Sequence, residues 1–566
     1  MTNLAPKLRS ALVAILLGTA WVPPAMAEDA GAYLAARVAS GVDDYVEASR
    51  YYQRLIAGGD ADAGLIEAGL ISEIGRANFD AALPLAQRLS GIEGNDQIAA
   101  LLLLAKPVRE GDFLTAQSYL VERGEQWPMG PDLVMGWLEA GLGHMSDAME
   151  SFDKAGAQPG LEAFAAYHKA LALAMVGDFE GANEQFEGDN AFALESLRRG
   201  AVAHAQILSQ LERNADAIAV LDRVFGQGSD AEIIGLRADL EAGKTLPFTV
   251  LKDAREGVAE VYFSIGSALV GEVSNGFGLM FTRIATWLRP DHSDAVLISA
   301  SILESLEQYD LAIATYTQIA PDGPTFPAAE IGRAEALVHA DKAEAAIEVL
   351  ESLSRSHGDQ AGVWVSLGDT LRREERFKEA AAAYDKAIDL LGDPQPKDWF
   401  VWYARAIAQE RSDNWKKAEA GFRKALELSP GQPSVLNYLG YSYLEKHQNL
   451  DEALKMIEQA VAARPDSGYI VDSLGWALYR MGRYEEAAVQ MERAVELEAI
   501  DPVVNDHLGD VYWAVGRKRE AEFQWRRALS FPSTEELDLE RVRRKLEVGL
   551  DVVLAEEGAD PLGAQK

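Results

Sequence analysis

The sequence predicts an all-α superhelical solenoid of antiparallel helix pairs, and three observations carry that prediction. One pattern recurs about every 34 residues along nearly the whole chain, each copy holds two helix-spaced apolar stripes, and copies close on proline or glycine. The fullest copies lie between Gln395 and Pro532. One reads Leu439-Gly440-x-x-Tyr443 followed by Ala453, Ile457, Ala460 and Pro465, and the next reads Leu474-Gly475-x-x-Leu478 followed by Ala487, Met491 and Ala494. A third reads Leu508-Gly509-x-x-Tyr512 followed by Ala521, Trp525, Ala528 and Pro532. The first apolar set marks one stripe on a first helix, and its small second member lets a second helix approach closely. The Ala, large, Ala series at spacings of four and three puts the matching stripe on that second helix. Such a hairpin cannot bury both faces alone, so copies stack.

Residues 1–27 read as a cleaved export signal and not as fold. Lys7 and Arg9 precede an apolar run from Ala11 to Trp21, Pro23 and Pro24 break it, and Ala25-Met26-Ala27 is a small-x-small cleavage pattern. The run is too short to span a bilayer, so a periplasmic protein starting at Glu28 is the expectation. Residues 28–228 read as a degenerate repeat segment, with frames starting near Asp29, Ala63, Gln97, Met129, Ala163 and Arg198. Residues 229–257, around Gly243-Lys244-Thr245-Leu246-Pro247, fit no frame and are expected to form an irregular joint between two repeat segments. Residues 258–535 carry a frame near Val258 and well-formed copies starting near Ser293, Pro327, Ala361, Trp399, Pro433, Gly468 and Pro502. The total is about fourteen repeats. Residues 536–566 are a capping helix and tail, rich in Arg, Lys and Glu as a shield for the last hairpin should be.

These motifs resemble the tetratricopeptide repeat (TPR) family closely. The segments around Asp472–Arg480 and His507–Trp513, with Leu288-Arg289-Pro290-Asp291-His292, resemble the carboxy-terminal part of long exported proteobacterial TPR proteins. Among those is the lipoprotein adaptor of a periplasmic carboxyl-terminal processing protease. The resemblance implies that first helices line a groove receiving a peptide or helix of a partner protein. It implies candidate groove residues Phe400, Tyr403, Ile407, Asn437, Tyr441, Leu444, Tyr469, Asp472, Trp476, Tyr479, Asp506, Asp510 and Trp513, an aromatic wall with acidic points. It also implies an adaptor that presents substrates to an envelope protease, although this chain has no cysteine to carry a lipid. The alternatives left open are a bridging protein of envelope assembly, and a ligand-binding or enzymatic site in the weakly matching amino-terminal half.

Composition narrows the functions further. The net charge of −36, which becomes −38 when Lys7 and Arg9 are removed, argues against nucleic acid and anionic membrane surfaces; it fits first the solubility of a long body with much surface, and second the attraction of a basic partner. Without cysteine there is neither a disulfide nor thiol catalysis. The eight histidines stand in no metal-ligand spacing and read as scattered surface or cap residues. Gly243-Lys244-Thr245 lacks the earlier glycine of a phosphate-binding loop, because that position is Ala238. No dinucleotide fingerprint or Gly-x-Ser-x-Gly elbow occurs. Asp506 and Asp510, four apart on a helix, could serve as an acid and base pair or bind a metal, but a solvated face is the commoner origin of such a pair. No enzyme, cofactor or metal is expected, and no later segment is long and apolar enough to cross a membrane.

Overall fold

The computed structural model describes residues 24–559, apart from 60, 93–96, 124–126, 128–129, 188–193, 196–197, 227–230, 272–274 and 533–536, together with Leu562. Most of the export signal therefore lies outside the described residues. Every regular element among them is a helix, and none is long and apolar enough to cross a membrane.

The repeat frames read from the sequence fall on helix starts. First helices begin at Ala63, Gln97, Arg198, Ser293, Ala361, Trp399, Pro433, Gly468 and Pro502, and the one expected near Pro327 begins at Phe326. The chain divides into two units, residues 1–353 and 354–566. The stretch read as a joint contains the helix Ala231–Glu241 and then a non-helical run through residue 253, inside the first unit, where Leu246, Val250 and Leu251 are buried.

The turn between the helices of a pair repeats one device. A left-handed residue follows the first helix, and the next N–H reaches back to a carbonyl in the last turn. Gln448 N to Tyr443 O at 2.9 Å, Arg483 N to Leu478 O at 2.8 Å and Arg517 N to Tyr512 O at 2.8 Å are examples. This satisfies carbonyls the helix end would otherwise leave open. Glycine holds the left-handed position at Gly482 and Gly516, but Asp341, Glu375 and Asp413 accept it too.

The small residue of each first helix is where the second helix touches. A Cβ on Gly136 would sit 2.5 Å from the Phe152 ring, and one on Gly509 2.4 Å from the Trp525 ring. The rings that take this space, Phe152 and Trp525, are fully buried with Tyr384, Tyr443 and Phe422. Each such side chain contributes roughly 1.5–3 kcal/mol or more by leaving water.

In the first unit, one pair departs from neighbour-to-neighbour stacking. The helices Ala254–Leu269 and Asn275–Leu288 lie across the first helices Ala63–Gly75, Gln97–Glu110, Pro131–Gly141 and Glu162–Met175. A Cβ on Gly257 would come within 2.2 Å of the Trp137 ring, so the crossing is close. Tyr262 Oη donates to Leu101 O at 2.7 Å and Arg283 Nε to Gly75 O at 3.1 Å, each satisfying a group buried by the contact.

Candidate functional site

Beneath the crossing hairpin of the first unit, several buried polar groups are paired with one another, although Trp127 Nε1, beside Tyr262, is not. Glu260 accepts from Arg199 (2.8 Å), Tyr167 (2.9 Å) and His292 (3.2 Å), and Arg199 also binds Asp294 at 2.9 Å. Burial pushes the Glu260 carboxyl up, but Arg199 and His292 outweigh it and hold the group well below the usual range. Trp137 Nε1 donates to His168 Nδ1 at 3.0 Å, so the His168 proton sits on Nε2, which faces Ser264 Oγ at 3.1 Å. Burial lowers His168 to about 4.

These contacts correct the reading of the histidines as surface or cap residues. His168, His204 and His292 are buried, and His507 nearly so; of these, only His292 also caps a helix, accepting from Ala295 N. Periodicity could not show this, because the partners lie on other helices. At the surface, Glu139, His144 and Asp147 bring donor atoms within 4.8 Å of one another, a grouping that no linear spacing announced.

In the second unit, the inner-helix residues fall into three groups. Asn437, Tyr441 and Asp472 border a cavity of about 560 Å³. Tyr469, 51% exposed, stands at its edge, and Tyr438, Ser442, Glu445 and His507 complete much of the wall. Tyr403 lies behind it, 6.0 Å from Tyr438 ring to ring, its hydroxyl pushed up to about 12 by burial and by Tyr469.

Trp476 and Tyr479 form the second group. Trp476 stacks between Tyr479 at 4.8 Å and His507 at 4.1 Å, and the two aromatics border a smaller cavity of about 380 Å³ beside the carboxy-terminal helices. His507 donates to Asp472 at 3.0 Å. Burial would depress this imidazole, yet Asp472, Asp506 and Asp510 raise it above its ordinary value.

Asp506, Asp510 and Trp513 are the third group, and the chain covers them itself. From the helix Leu539–Val548, the fully buried Lys545 Nζ lies 2.8 Å from Asp506 and 2.7 Å from Asp510. Asp510 also accepts from Trp525 Nε1 at 2.9 Å. Trp513 donates to Asp551 at 2.9 Å and packs against Gly549, where a Cβ would meet its ring at 2.5 Å. Gly549 has φ +86°, open to glycine at little cost, and it redirects the chain between the last two helices. The two aspartates thus form an ion triad with a lysine. Of the remaining candidate groove residues, Phe400 is 41% exposed and Ile407 is partly buried against the core, while Leu444 is fully buried and so, contrary to the groove rule, faces no groove.

Sequence reasoning missed Tyr438 and Ser442, the neighbours of Asn437 and Tyr441, because the groove rule selects only positions three or four apart on the helix. It missed Lys545 because a capping helix is recognised by polarity and not by what its cations touch.

The sequence model for the tetratricopeptide repeat matches residues 331–398, 403–467 and 439–503. A TPR repeat-containing protein of Pseudomonas aeruginosa is 27% identical over 180 residues, 31% of this chain and 30% of that protein. A general transcriptional corepressor, ssn6, of Schizosaccharomyces pombe is 25% identical over 134 residues, 24% of this chain and 12% of that protein. The chain thus matches less than a third of the length of either relative. Among solved structures, the Cut9–Hcn1 complex of the APC/C is similar over 92% of this chain and 96% of that one, with 14% identity and a TM-score of 0.39. A tetratricopeptide repeat protein from Parabacteroides merdae is similar over 52% and 98%, with 13% identity and a TM-score of 0.35.

Proposed function

We propose that this chain, which carries tetratricopeptide repeats between residues 331 and 503, is an exported adaptor that holds a polypeptide segment of a partner on the inner helices of its second unit. Tetratricopeptide repeats make protein-interaction scaffolds. The observation that carries the finer reading is the cavity of about 560 Å³ bordered by Asn437, Tyr441 and Tyr469. It offers aromatic rings that gain by leaving water, and polar atoms that fix orientation, the combination found at binding hot spots.

Export to the periplasm is supported by the charged, apolar and small-residue order of residues 1–27. Presentation of a substrate to an envelope protease is supported by the resemblance of residues 472–480 and 507–513 to exported proteins of that kind.

Two measurements test the proposal. Purification of the tagged chain from cell envelopes should bring down a defined protein partner, and Tyr441→Ala with Tyr469→Ala should lose it while leaving the melting temperature within a few degrees. Retention of the partner by the double variant would refute binding at this cavity. Amino-terminal sequencing of the mature protein should begin at Glu28, and recovery of an intact residue 1 from the cytoplasm would refute export.

A further inference from the structure

We infer that the partner places a basic side chain, lysine or arginine, in the cavity of about 560 Å³, carried on an extended stretch whose backbone N–H donates to Asn437. This deepens the proposed function and rests on it. Three observations lead there.

Asn437 is 8% exposed and borders the cavity, and its Oδ1 has no hydrogen-bond partner. A buried acceptor left open is costly, and native structures seldom keep one without a reason. Because Oδ1 itself is shut off from solvent, the amide must turn toward the cavity for a donor that arrives with the occupant to satisfy it, and a polypeptide supplies such donors as backbone N–H groups.

The wall is chemically one-sided. It carries the carboxylates of Glu410, Glu445, Asp472 and Asp501 with Arg411 as its only guanidinium, and three tyrosine rings stand among them. The partners already nearby are few: Glu410 pairs with Lys446, Asp501 accepts from Val503 N and Val504 N at its own helix start, and Glu445 accepts from Trp476 Nε1 at 3.3 Å. Lys446 is 3.2 Å from Glu410, Arg480 is 3.9 Å from Glu445, and Arg411 lies 3.5 Å from Glu375. His507 is hydrogen-bonded to Asp472 from the next inner helix. Carboxylates beside aromatic faces favour a cation over a neutral or acidic side chain.

The chain shows this recognition one repeat further on. Asn437, Asp472 and Asp506 occupy one row on three successive inner helices. Against Asp506 the protein seats its own Lys545, fully buried, with Asp510 as second acceptor and the Trp525 ring 5.7 Å from Nζ. At Asp472 and Asn437 the corresponding space is the cavity. The same row that accepts an internal lysine at its end borders a cavity further back, where, among the described residues, the carboxylate of Asp472 has only His507 beside it.

The test uses the full chain and two labelled peptides, one alternating serine and arginine and the other with glutamine in place of each arginine, followed by fluorescence anisotropy. The arginine peptide should bind at least ~10-fold more tightly than the glutamine peptide. Asn437→Leu should weaken it by ~10-fold, and Asp472→Asn with Glu445→Gln should abolish the preference between the two. Equal affinity for both peptides overturns the inference, and so does arginine-peptide binding that ignores Asn437→Leu and Tyr441→Ala, since it would then be general attraction to an acidic surface. If neither peptide binds while the partner captured from envelopes is still lost by Tyr441→Ala with Tyr469→Ala, the basic side chain is wrong and the adaptor site stands. If that capture ignores the tyrosines, the site itself is wrong.

Discussion

The inner helices of the two units are made alike and used differently. In the first unit the hairpin Ala254–Leu288 lies across four of them, and several polar groups beneath it are paired through Glu260, Arg199 and His168. In the second unit the end of the row is closed by Lys545, while the middle keeps a cavity with an open acceptor at Asn437. Repeat architecture alone therefore does not decide whether an inner face is a binding surface. That depends on whether the chain supplies an element to cover it and on whether the covered polar groups find partners. The contrast also gives the weakly matching repeats of the first unit a role: their inner faces serve as a core for a hairpin of the same chain.

The most damaging break to this contrast should be Arg199→Ala, which leaves the buried Glu260 without its main partner. Loss of one member of a buried ion pair costs about 3–5 kcal/mol. Urea unfolding of the full chain should show the transition of the first unit displaced to much lower denaturant, with that of the second unit unchanged. Equal displacement of both transitions would contradict the separation of the two units.

Acid should come next. His168 titrates near 6.5 when unfolded and near 4 when folded, so the unfolded chain binds the extra proton between those values. Stability of the first unit is therefore whole above 6.5 and falls by about 3 kcal/mol as pH drops to 4. His507 in the second unit has the opposite sign, because its folded value is raised. Its contribution is present below 6.5 and lost as pH rises through the folded value. Amide exchange at pH 5 and pH 7.5 should show the two units moving in opposite directions at the amides near these residues, and His168→Gln should reduce the response of the first without removing it, since burial lowers His204 and His292 as well.

A single methyl group sharpens the comparison further. Gly257→Ala forces a Cβ against the rigid Trp137 ring at 2.2 Å, and overpacking of that kind costs about 1–3 kcal/mol. Gly475→Ala meets the flexible Met491 side chain at 2.7 Å, which can turn away, so a cost under about 1 kcal/mol is expected. Thermal melts of both variants check the order, and a larger loss for Gly475→Ala would reverse the account of where the close contacts lie.

The smallest effect should be Asn437→Leu. Replacing a buried group whose acceptor is unmade by an apolar one of similar size should leave stability unchanged or raise it by up to about 1 kcal/mol. A loss of 2 kcal/mol or more, read from the urea midpoint, would mean that Asn437 has a structural partner.

Much of the fold was legible from the chain, because helix starts and hairpin contacts are local. Leu439-Gly440-x-x-Tyr443 specifies a stripe and a close approach within one repeat, and the helix it predicts begins at Pro433 as expected. The candidate site was legible in part. The row through Asn437 and Asp472 was found, since a repeated fold carries positions from one copy to the next, whereas the occupation of Asp506 and Asp510 was not. Lys545 reaches Asp506 across 39 residues, a distance no 34-residue period describes.

The sequence by itself determined the two-helix module, its spacing and the acidic balance of the protein, for these follow from which side chains recur on one helix face. Tertiary structure alone decided which inner faces are covered. Tyr167 meets Glu260 across 93 residues and Tyr262 meets Leu101 across 161, and such pairings depend on how stacked repeats bring distant faces together. The physical reason is that a periodic pattern specifies what each surface offers, while the partner that removes that surface from water comes from elsewhere in the chain.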